Sequence, residues 1–535
     1  MKRYKYLFVL VIPIVLGVSC KKSAFVEANI NPATLTSVDP GDQFLYASVH
    51  FANDFENYYD YYRAVMPWMQ YLTSADGNPP NFTNQSGNFD YRYGNYYGNV
   101  GLALADIPHL IKNMSPSQQA GRVYEAAIAS IYMAYYAFYV SDINGSVPYS
   151  QAFQGRYGGT LTPVYDAQAS LFDTLDLQIK TAVATLESSP SATQVLYGGN
   201  DPFYGGSSNE VLAWEKAGNA LRLKIAMRLM KRSPSQLQSI AQEVLADANQ
   251  MASISDSWVL YGGPSFATES SNFNPTGFLA SKPMVDFMNT TGDPRIGMYF
   301  RQATGGGYVG SPVDPDTCVL QYYQNLYKAS DTPFSQVQHR LFTPDFDEND
   351  GFGPGTNGVS FFPALTYAEY CFIRAELGAK GITTDNAGTW YTNGVTASIQ
   401  FYDQRATQAA ITGYTPVTAG QISTYLAHPG IAFNAATAVD QIDCQAYLDF
   451  YRQPSEAWAW WKRTGYPNTS SVVAWSPLTS NGTVNVINRR AALSLLPSSD
   501  ANYANQQAAY SQMATDPGFG SSPGDAAGRV WWDMP

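Results

Sequence analysis

The sequence predicts a mainly α-helical (all-α) fold, in which tetratricopeptide-like helix pairs form a scaffold and long irregular loops connect them. Three observations support this prediction. Apolar residues recur at helical spacing in several long segments, Ala and Gly are frequent within those segments, and loops rich in Gly, Pro, Asn and Ser separate them. Because small residues let helices approach closely, such pairs can stack as they do in helical repeat proteins.

The first predicted helix covers residues 43–71 and ends in MPWMQYL. The next stretch, residues 73–95, is rich in Gly, Pro, Asn and Asp and is predicted to contain no regular element. The later helices are predicted over residues 123–140, 166–186, 209–232, 366–381 and 389–404. In the first three of these, apolar side chains share one face, which in the 166–186 segment consists of Leu171, Leu175, Ile179 and Val183.

Long loops separate the predicted helices, over residues 190–208, 257–282, 302–318, 343–363 and 464–486. Loops of that length usually carry function rather than support the fold. The sequence therefore predicts a rigid helical scaffold that holds elaborate loops.

The N-terminus has the layout of a lipoprotein signal. A basic start is followed by an apolar run over residues 7–18, too short to cross a bilayer, and the small Ser19 precedes Cys20. A signal that ends directly before a Cys indicates that Cys20 is acylated, with palmitate, and becomes the first residue of an anchored protein. An ordinary cleaved signal with an unmodified Cys20 is the alternative, since Gly17 stands where a Leu is usual.

The predicted domains follow from that signal. They are a lipoprotein signal peptide over residues 1–19, a lipidated N-terminus and tether over residues 20–42, and a single helical domain over residues 43–535.

The composition excludes one class of partner and favours another. The chain of 535 residues is 45% hydrophobic and 14% charged, and its formal net charge of −12 becomes −15 once Lys2, Arg3 and Lys5 leave with the signal. Because phosphate binding needs clustered Lys and Arg, an acidic chain without a basic cluster is not expected to bind nucleic acid. The 39 Tyr residues combine flat apolar faces with hydrogen-bonding tips and suit a surface that meets polar ligands.

No motif predicts catalysis, a metal site or a cofactor. GSSPG at 520–524 and GPGTNG at 353–358 lack the flanking strand and helix that a nucleophile elbow or a dinucleotide fold requires. The His residues show no zinc-ligand spacing, and Cys318, Cys371 and Cys444 fit neither a disulfide framework nor a C-x-x-C site. A pair of glycosidase carboxylates is defined in space rather than by spacing, so the sequence leaves that alternative open.

The segment DFDENDG, residues 345–351, alternates Asp345, Asp347 and Asn349 as a calcium loop alternates its oxygen ligands. Gly351 stands one position late for that motif, and Thr356 replaces the acidic twelfth ligand. The pattern favours an acidic surface turn, with cation binding as the alternative.

Aromatic and polar residues alternate densely between residues 68 and 97. Rings can stack on the apolar faces of sugars or on peptide side chains, while amides and carboxylates bind hydroxyl or backbone groups. The pattern predicts a recognition surface, whose candidate ligand-binding residues are Trp68, Asp76, Phe82, Tyr91, Tyr93 and Tyr97. In the alternative interpretation, Trp68 and Tyr71 complete the buried face of the preceding helix and the other residues only hold the loop in place.

Six segments, taken in order, carry a family resemblance. They are NINPATL (29–35), YVSDINGSVPYSQAF (139–153), WEKAGNALRLKIAMRLMK (214–231), YAEYCFIRAELGAKG (367–381), SEAWAWWKRTGYP (455–467) and NRRAALSLLPSSDANYANQQAAY (488–510). Together they resemble the SusD/RagB family of nutrient-binding lipoproteins of Bacteroidetes, in particular its SusD-like-2 branch, over nearly the whole chain that follows the signal.

This resemblance implies tetratricopeptide-like helix pairs with an irregular ligand-binding half. It also implies a non-catalytic outer-membrane lipoprotein at the cell surface, which captures an oligosaccharide or peptide and delivers it to a SusC-type TonB-dependent β-barrel transporter. The lysines of KKSAFVE, directly after the lipid site, stand where such proteins often carry acidic residues and depart from the pattern for surface exposure. The alternatives are a lipid-anchored glycoside hydrolase and a structural transporter lid without its own ligand.

Overall fold

Helices dominate the computed structural model, which describes residues 38–82, 89–263, 275–329, 331–344, 346–347, 351–352 and 357–535. Residues Pro40–Pro535 form one compact unit. The predicted signal peptide, Cys20 and most of the predicted tether lie outside the described residues, as do Asp345 and Asn349, and only the backbone of Asp347 is described.

The helices of the N-terminal half are α1 (Pro40–Val49), α2 (Glu56–Val65), α3 (Met66–Trp68), α4 (Asp90–Asn95), α5 (Tyr96–Val100), α6 (Gly101–Lys112), α7 (Pro116–Ala120), α8 (Val123–Asn144), α9 (Gln168–Leu186), α10 (Glu210–Met227) and α11 (Pro234–Ala246). Helices α2 and α5 are π-helical, a geometry in which each N–H bonds five residues back, and each runs directly into the next helix.

The helices of the C-terminal half are α12 (Lys282–Thr291), α13 (Ile296–Tyr299), α14 (Pro315–Cys318), α15 (Gln321–Tyr327), α16 (His339–Phe342), α17 (Tyr367–Ala379), α18 (Ala387–Gln408), α19 (Ala419–Ala427), α20 (Ala438–Asp449), α21 (Pro454–Thr464) and α22 (Tyr503–Met513). Single 3₁₀ turns lie at Gly155–Tyr157, Gly198–Asn200, Ile254–Asp256, Pro275–Gly277, Ala435–Thr437 and Phe450–Arg452. None of the helices in the described residues combines the length and apolar character that crossing a bilayer requires.

The strands of the described residues form two-stranded antiparallel pairs. These are β1 (Leu72–Ser74) with β3 (Phe278–Ala280), β2 (Trp258–Gly262) with β6 (Ser360–Leu365), β4 (Phe346–Asp347) with β5 (Gly351–Phe352), and β7 (Thr479–Ser480) with β8 (Thr483–Val484). The β1–β3 pair sets Ser74 opposite Phe278, so two chain segments far apart in sequence meet beside α2 and α3.

Helices adjacent in sequence pack on one another, α8 on α9, α9 on α10, α10 on α11, and α17 on α18. The predicted apolar faces are buried in these contacts, as Leu175, Ile179, Leu221 and Ile225 show. The prediction of an all-α fold built on helix pairs is confirmed.

Local sequence fixes where these helices begin and how closely they approach. Asn209 caps α10 by accepting a hydrogen bond from the Leu212 N–H at 3.1 Å, and Thr366 caps α17. At Gly218, on α10, a Cβ atom would lie 2.6 Å from Cγ2 of Val183 on α9. The close contact between α9 and α10 therefore depends on the missing side chain.

The structure differs from the sequence prediction at several places, of which the following bear on the site. The helix predicted over residues 43–71 is interrupted after Val49, because residues 50–53 form a turn before the chain becomes helical again and enters the π-helix α2. The stretch 73–95, predicted to be irregular, contains α4. Two predicted loops, 257–282 and 343–363, supply the paired strands β2 and β6, whose hydrogen-bonding partners lie about a hundred residues apart in the chain and leave no local signal.

A buried ion pair holds α2 in place. Oε1 of Glu56 accepts hydrogen bonds from Nε of Arg92 at 2.9 Å, from the Tyr61 hydroxyl at 2.9 Å and from the Tyr139 hydroxyl at 2.6 Å. Arg92 also donates to Oγ of Ser455 at 3.0 Å. Burial raises the pKa of Glu56, and the positive charge of Arg92 opposes that shift. This cluster ties α2 to α4, α8 and α21.

Asp60, one turn after Glu56, is also fully buried. Its Oδ1 accepts a hydrogen bond from the Phe89 N–H at 3.1 Å, and its Oδ2 has no partner among the described residues. Burial, together with the nearby charge of Glu56, raises the pKa of Asp60 to about 8.

The cysteines of the described residues, Cys318, Cys371 and Cys444, are buried free thiols. Burial raises the pKa of each, that of Cys371 to about 12. As the sequence predicted, these three residues form no disulfide framework.

We expect Gly218→Leu to lower the free energy of unfolding by about 1–3 kcal/mol, because the new side chain overlaps Val183 where α9 meets α10. Gly94→Ala is the matched control, since a Cβ at this exposed helical position meets no atom within 4 Å. Urea denaturation followed by circular dichroism measures both variants. Equal midpoints for Gly218→Leu and the unmodified protein would contradict the packing described.

We expect Asp60→Asn to become more stable relative to the unmodified protein as the pH rises. The folded carboxyl has a pKa of about 8, above its ordinary value of 3.8, so the folded chain binds the extra proton between these values. The stability that the neutral carboxyl supplies is complete below about pH 4 and is lost as the pH passes 8. Thermal unfolding at pH 5 and pH 9 measures this, and a constant difference in Tm between the two proteins at both pH values would refute it.

Candidate ligand-binding site

Helix α2, the residue before it and the start of α4 together present an aromatic surface, defined here as Phe55, Tyr58, Tyr59 and Tyr91. The rings of Phe55, Tyr59 and Tyr91 are nearly parallel, with centroids 5.7–6.3 Å apart and interplanar angles of 4–24°. Tyr58 meets Tyr59 edge to face at 4.9 Å. Phe55 is 43% exposed and the other three rings are half-buried. The surface therefore offers apolar ring faces that the fold leaves partly uncovered.

A cleft of about 390 Å³ adjoins this surface on the side of α3 and β1. The side chains that line it and that can contact a ligand include Tyr58, Tyr62, Arg63, Asp76, Phe82 and Phe278. The guanidinium of Arg63 lies 5.6 Å from the centre of the Tyr58 ring, and both Arg63 and Asp76 are exposed. The cleft thus combines aromatic faces with one cation and one carboxylate that can orient a polar ligand.

A smaller cavity of about 70 Å³ lies beside α2, between α8, β6 and α21. Arg452 lines this cavity, and its Nη1 donates a hydrogen bond to the hydroxyl of Tyr62 at 2.6 Å, in the cleft. One hydrogen bond therefore connects a residue that lines the cavity with a residue that lines the cleft.

Three of the six predicted site residues lie at this site. Asp76 and Phe82 line the cleft, and Tyr91 belongs to the aromatic surface. Phe82 is only 2% exposed, so little of its side chain is available to a ligand.

The other three predicted residues lie elsewhere. The ring of Trp68 is fully buried against Phe89 and Trp458, with centroids 5.7 Å away in both cases. Tyr93 and Tyr97 pack on each other at 4.5 Å, away from the rings of the aromatic surface, and the Tyr97 hydroxyl donates to the Pro148 carbonyl oxygen at 2.6 Å.

Sequence reasoning missed the segment FENYYDYYR, residues 55–63, which supplies most of the surface and was assigned to a scaffold helix. The sequence does contain a feature that could have identified this segment as part of a binding surface. Its aromatic residues occupy every side of the helix, and a helix on a domain surface cannot bury all of its sides.

Among the described residues, His, Cys, Asp and Glu side chains form no group of three or more that could hold a metal ion.

Comparison with known proteins identifies the family. The profile of SusD-like_2, described as starch-binding associating with outer membrane, matches residues 32–490. No curated protein sequence matches.

Solved structures show the same fold. A chitin-binding protein is 22% identical with a TM-score of 0.69, covering 93% of this chain and 100% of its own. A SusD-like protein, Bacteroidetes AC2a, is 21% identical with a TM-score of 0.68 over the same shares. A chitin-binding SusD homologue from Flavobacterium johnsoniae is 19% identical with a TM-score of 0.65, covering 92% of this chain and 98% of its own. At these identities the likeness establishes the fold, and the profile match over most of the sequence shows that this chain belongs to the SusD-like_2 family.

Proposed function

We propose that this protein binds an oligosaccharide at the aromatic surface and the adjoining cleft. The observation that carries the proposal is the set of three nearly parallel, partly uncovered rings of Phe55, Tyr59 and Tyr91. The C–H faces of a sugar stack on such rings, while Arg63 and Asp76 can bind hydroxyl groups. Binding of this kind needs no nucleophile, metal or general base.

Two findings support a glycan ligand over a peptide. The family is described as starch-binding, and two proteins with the same fold carry chitin-binding in their descriptions. Of the residues predicted from sequence, Asp76, Phe82 and Tyr91 are the proposed ligand contacts, joined by Phe55, Tyr58 and Tyr59.

The proposal extends to the cell envelope. Acylation of Cys20 would anchor the protein to the outer membrane, facing the cell surface, where it would deliver its ligand to a SusC-type TonB-dependent transporter. Confinement to the membrane plane raises the effective concentration of the binding protein beside such a transporter. The family description, which includes association with the outer membrane, supports this location.

We expect Tyr59→Ala and Tyr91→Ala each to weaken oligosaccharide binding about two- to twelvefold, since loss of one stacking contact costs about 0.5–1.5 kcal/mol. Tyr322→Ala is the matched control, because this ring is 67% exposed on α15, outside the aromatic surface and the cleft. Affinity electrophoresis against a glycan panel, followed by calorimetry on the best ligand, gives the dissociation constants. Unchanged affinity in both variants would show that the aromatic surface does not contact the oligosaccharide.

We expect the mature protein to begin with a diacylated or triacylated Cys20 and to sediment with membranes. Cys20→Ala should move it to the soluble fraction, whereas Ser23→Ala should not. Mass spectrometry of the N-terminal peptide from the detergent-extracted protein tests the modification directly. An unmodified thiol at Cys20 would overturn the anchoring part of the proposal and leave the binding part intact.

A further inference from the structure

A further cavity, called here the C-terminal cavity, has a volume of about 360 Å³. The end of α8, the start of α9, the end of α22 and the C-terminal segment surround it, and its lining includes Arg232, Arg529 and Trp531. Among the described residues it shares no lining side chain with the aromatic surface or the cleft. Because small-molecule sites in proteins measure about 300–1,000 Å³, the C-terminal cavity has room for a ligand of its own.

The N-terminus of α9 meets this cavity without a capping side chain. Ala167 holds the N-cap position, and its side chain has no oxygen that could accept a hydrogen bond from the first turn. The N–H groups of Gln168 and Ala169 have no acceptor among the described residues, and both residues line the cavity. Unpaired N–H groups and the helix dipole give the start of this 19-residue helix a partial positive charge. This end of α9 therefore favours a negatively charged group.

The hydroxyl of Ser146 is an independent sign of a ligand at the same cavity. Ser146 is only 3% exposed, and it lines the C-terminal cavity. Its Oγ makes no hydrogen bond among the described residues, yet it is not one of the unpartnered polar atoms that the fold encloses completely. The hydroxyl therefore keeps accessible surface, and the cavity is the space that this residue lines. Because an unpaired buried hydroxyl costs free energy, a ligand that accepts its hydrogen bond gains affinity.

Two arginines that line the cavity retain N–H groups that no described residue accepts. Arg232 donates from Nη2 to Oδ2 of Asp516 and from Nε to the Trp531 carbonyl oxygen, which leaves Nη1 for a ligand. Arg529 donates from Nη1 to Oδ1 of Asp533 at 2.8 Å, which leaves Nε and Nη2. Guanidinium groups bind oxyanions through several N–H groups at once, so both arginines suit an anionic ligand.

The carboxylates that these arginines contact do not cancel the positive charge. Asp516 pairs with Arg232. Asp533 is shared between Arg529 and Arg489. Three guanidinium groups therefore face two carboxylates, with a surplus of one positive charge. This surplus favours an anion over a neutral or a cationic guest.

We propose that the C-terminal cavity binds a tetrahedral oxyanion, the phosphate or sulfate group of a small ester. Its donors come from three parts of the chain, namely the first turn of α9, the hydroxyl of Ser146, and the N–H groups of Arg232 and Arg529. A phosphate or sulfate ester has three terminal oxygens, one for each set of donors, whereas a carboxylate has two. The ring of Trp531, which also lines the cavity, offers an apolar face to the body of the ligand, such as a pyranose. This site lies apart from the aromatic surface and goes beyond the proposed function.

The test measures, by calorimetry on the full chain in a buffer free of phosphate and sulfate, the binding of five probes. These are glucose 6-phosphate, glucose 6-sulfate, inorganic phosphate, glucuronate and glucose. We expect both esters to bind at least about tenfold more tightly than glucose and glucuronate, because charge-assisted hydrogen bonds are the stronger ones. Inorganic phosphate should bind more weakly than the esters, since it lacks the contact with Trp531. Added NaCl should weaken the binding of each anion.

Substitutions at the start of α9 assign that binding to the cavity. Ala169→Glu places a carboxylate among the donors, and it also suits the helix dipole, so the variant should fold. We expect it to weaken the binding of glucose 6-phosphate at least about tenfold, and Ala169→Gln, of the same size without the charge, to weaken it less. Ala419→Glu, exposed in the first turn of α19, makes the same change of charge elsewhere and should keep the affinity.

Ser146→Ala removes one donor and should weaken the binding of glucose 6-phosphate about three- to tenfold. Circular dichroism and Tm show whether this variant and those at Ala169 are folded. The two positions lie on different segments of the cavity wall, so misfolding of one variant leaves the other as a test.

Each outcome supports or overturns the assignment. Equal affinity for the esters and glucose, or glucuronate bound as tightly as the esters, would overturn the tetrahedral oxyanion. Inorganic phosphate bound as tightly as glucose 6-phosphate would overturn the contact with Trp531. Unchanged affinity in both Ala169→Glu and Ser146→Ala would overturn the C-terminal cavity as the site. Tyr91→Ala, which tests the proposed function, should leave the binding of glucose 6-phosphate unchanged, and its loss there would place the ester at the aromatic surface instead.

Discussion

The buried ion pair between Glu56 and Arg92 is the contact on which the rest of the site depends. Both side chains are almost fully removed from water, with Nε and Oε1 2.9 Å apart. Breaking such a pair leaves an uncompensated buried charge and costs about 3–5 kcal/mol. Because the same two residues also bind Tyr61, Tyr139 and Ser455, the pair fixes α2 against three other helices. The outward rings of α2 are held in place by charges on its inner side.

The sequence was sufficient to predict the helices of the scaffold but not the strands. Helices α8, α9 and α10 are visible because each carries its own apolar face, which is a local property of some twenty residues. Strands β2 and β6 have no such independent signal, since each is stabilised by a partner about a hundred residues away. The short runs WVLYG (258–262) and SFFPAL (360–365) are compatible with either a loop or a buried strand, and only the pairing between them decides.

The candidate site was recovered in part, and the reason lies in helix geometry. Asp76, Phe82 and Tyr91 were proposed from aromatic and polar composition, whereas Phe55 and Tyr59 lay within a segment predicted as one helix and were not proposed as ligand contacts. A π-helix has more residues per turn than the 3.6 that periodicity arguments assume, so α-helical spacing does not predict which positions of α2 face outward. Trp68 shows the opposite case. It was predicted as a ligand contact because Trp is common at binding surfaces, but Phe89 and Trp458 enclose its ring.

The three buried thiols, Cys318, Cys371 and Cys444, are protected from reaction with oxidants in the surroundings. A thiol attacks disulfides and peroxides only as the thiolate, and Cys318, Cys371 and Cys444 combine enclosure with a raised pKa, so little thiolate forms. Oxidants and oxidising folding catalysts can reach the sulfur atoms only when the surrounding helices open. Once folded, the protein can therefore remain in an oxidising medium with these three thiols unchanged, and its stability owes nothing to cross-links between them.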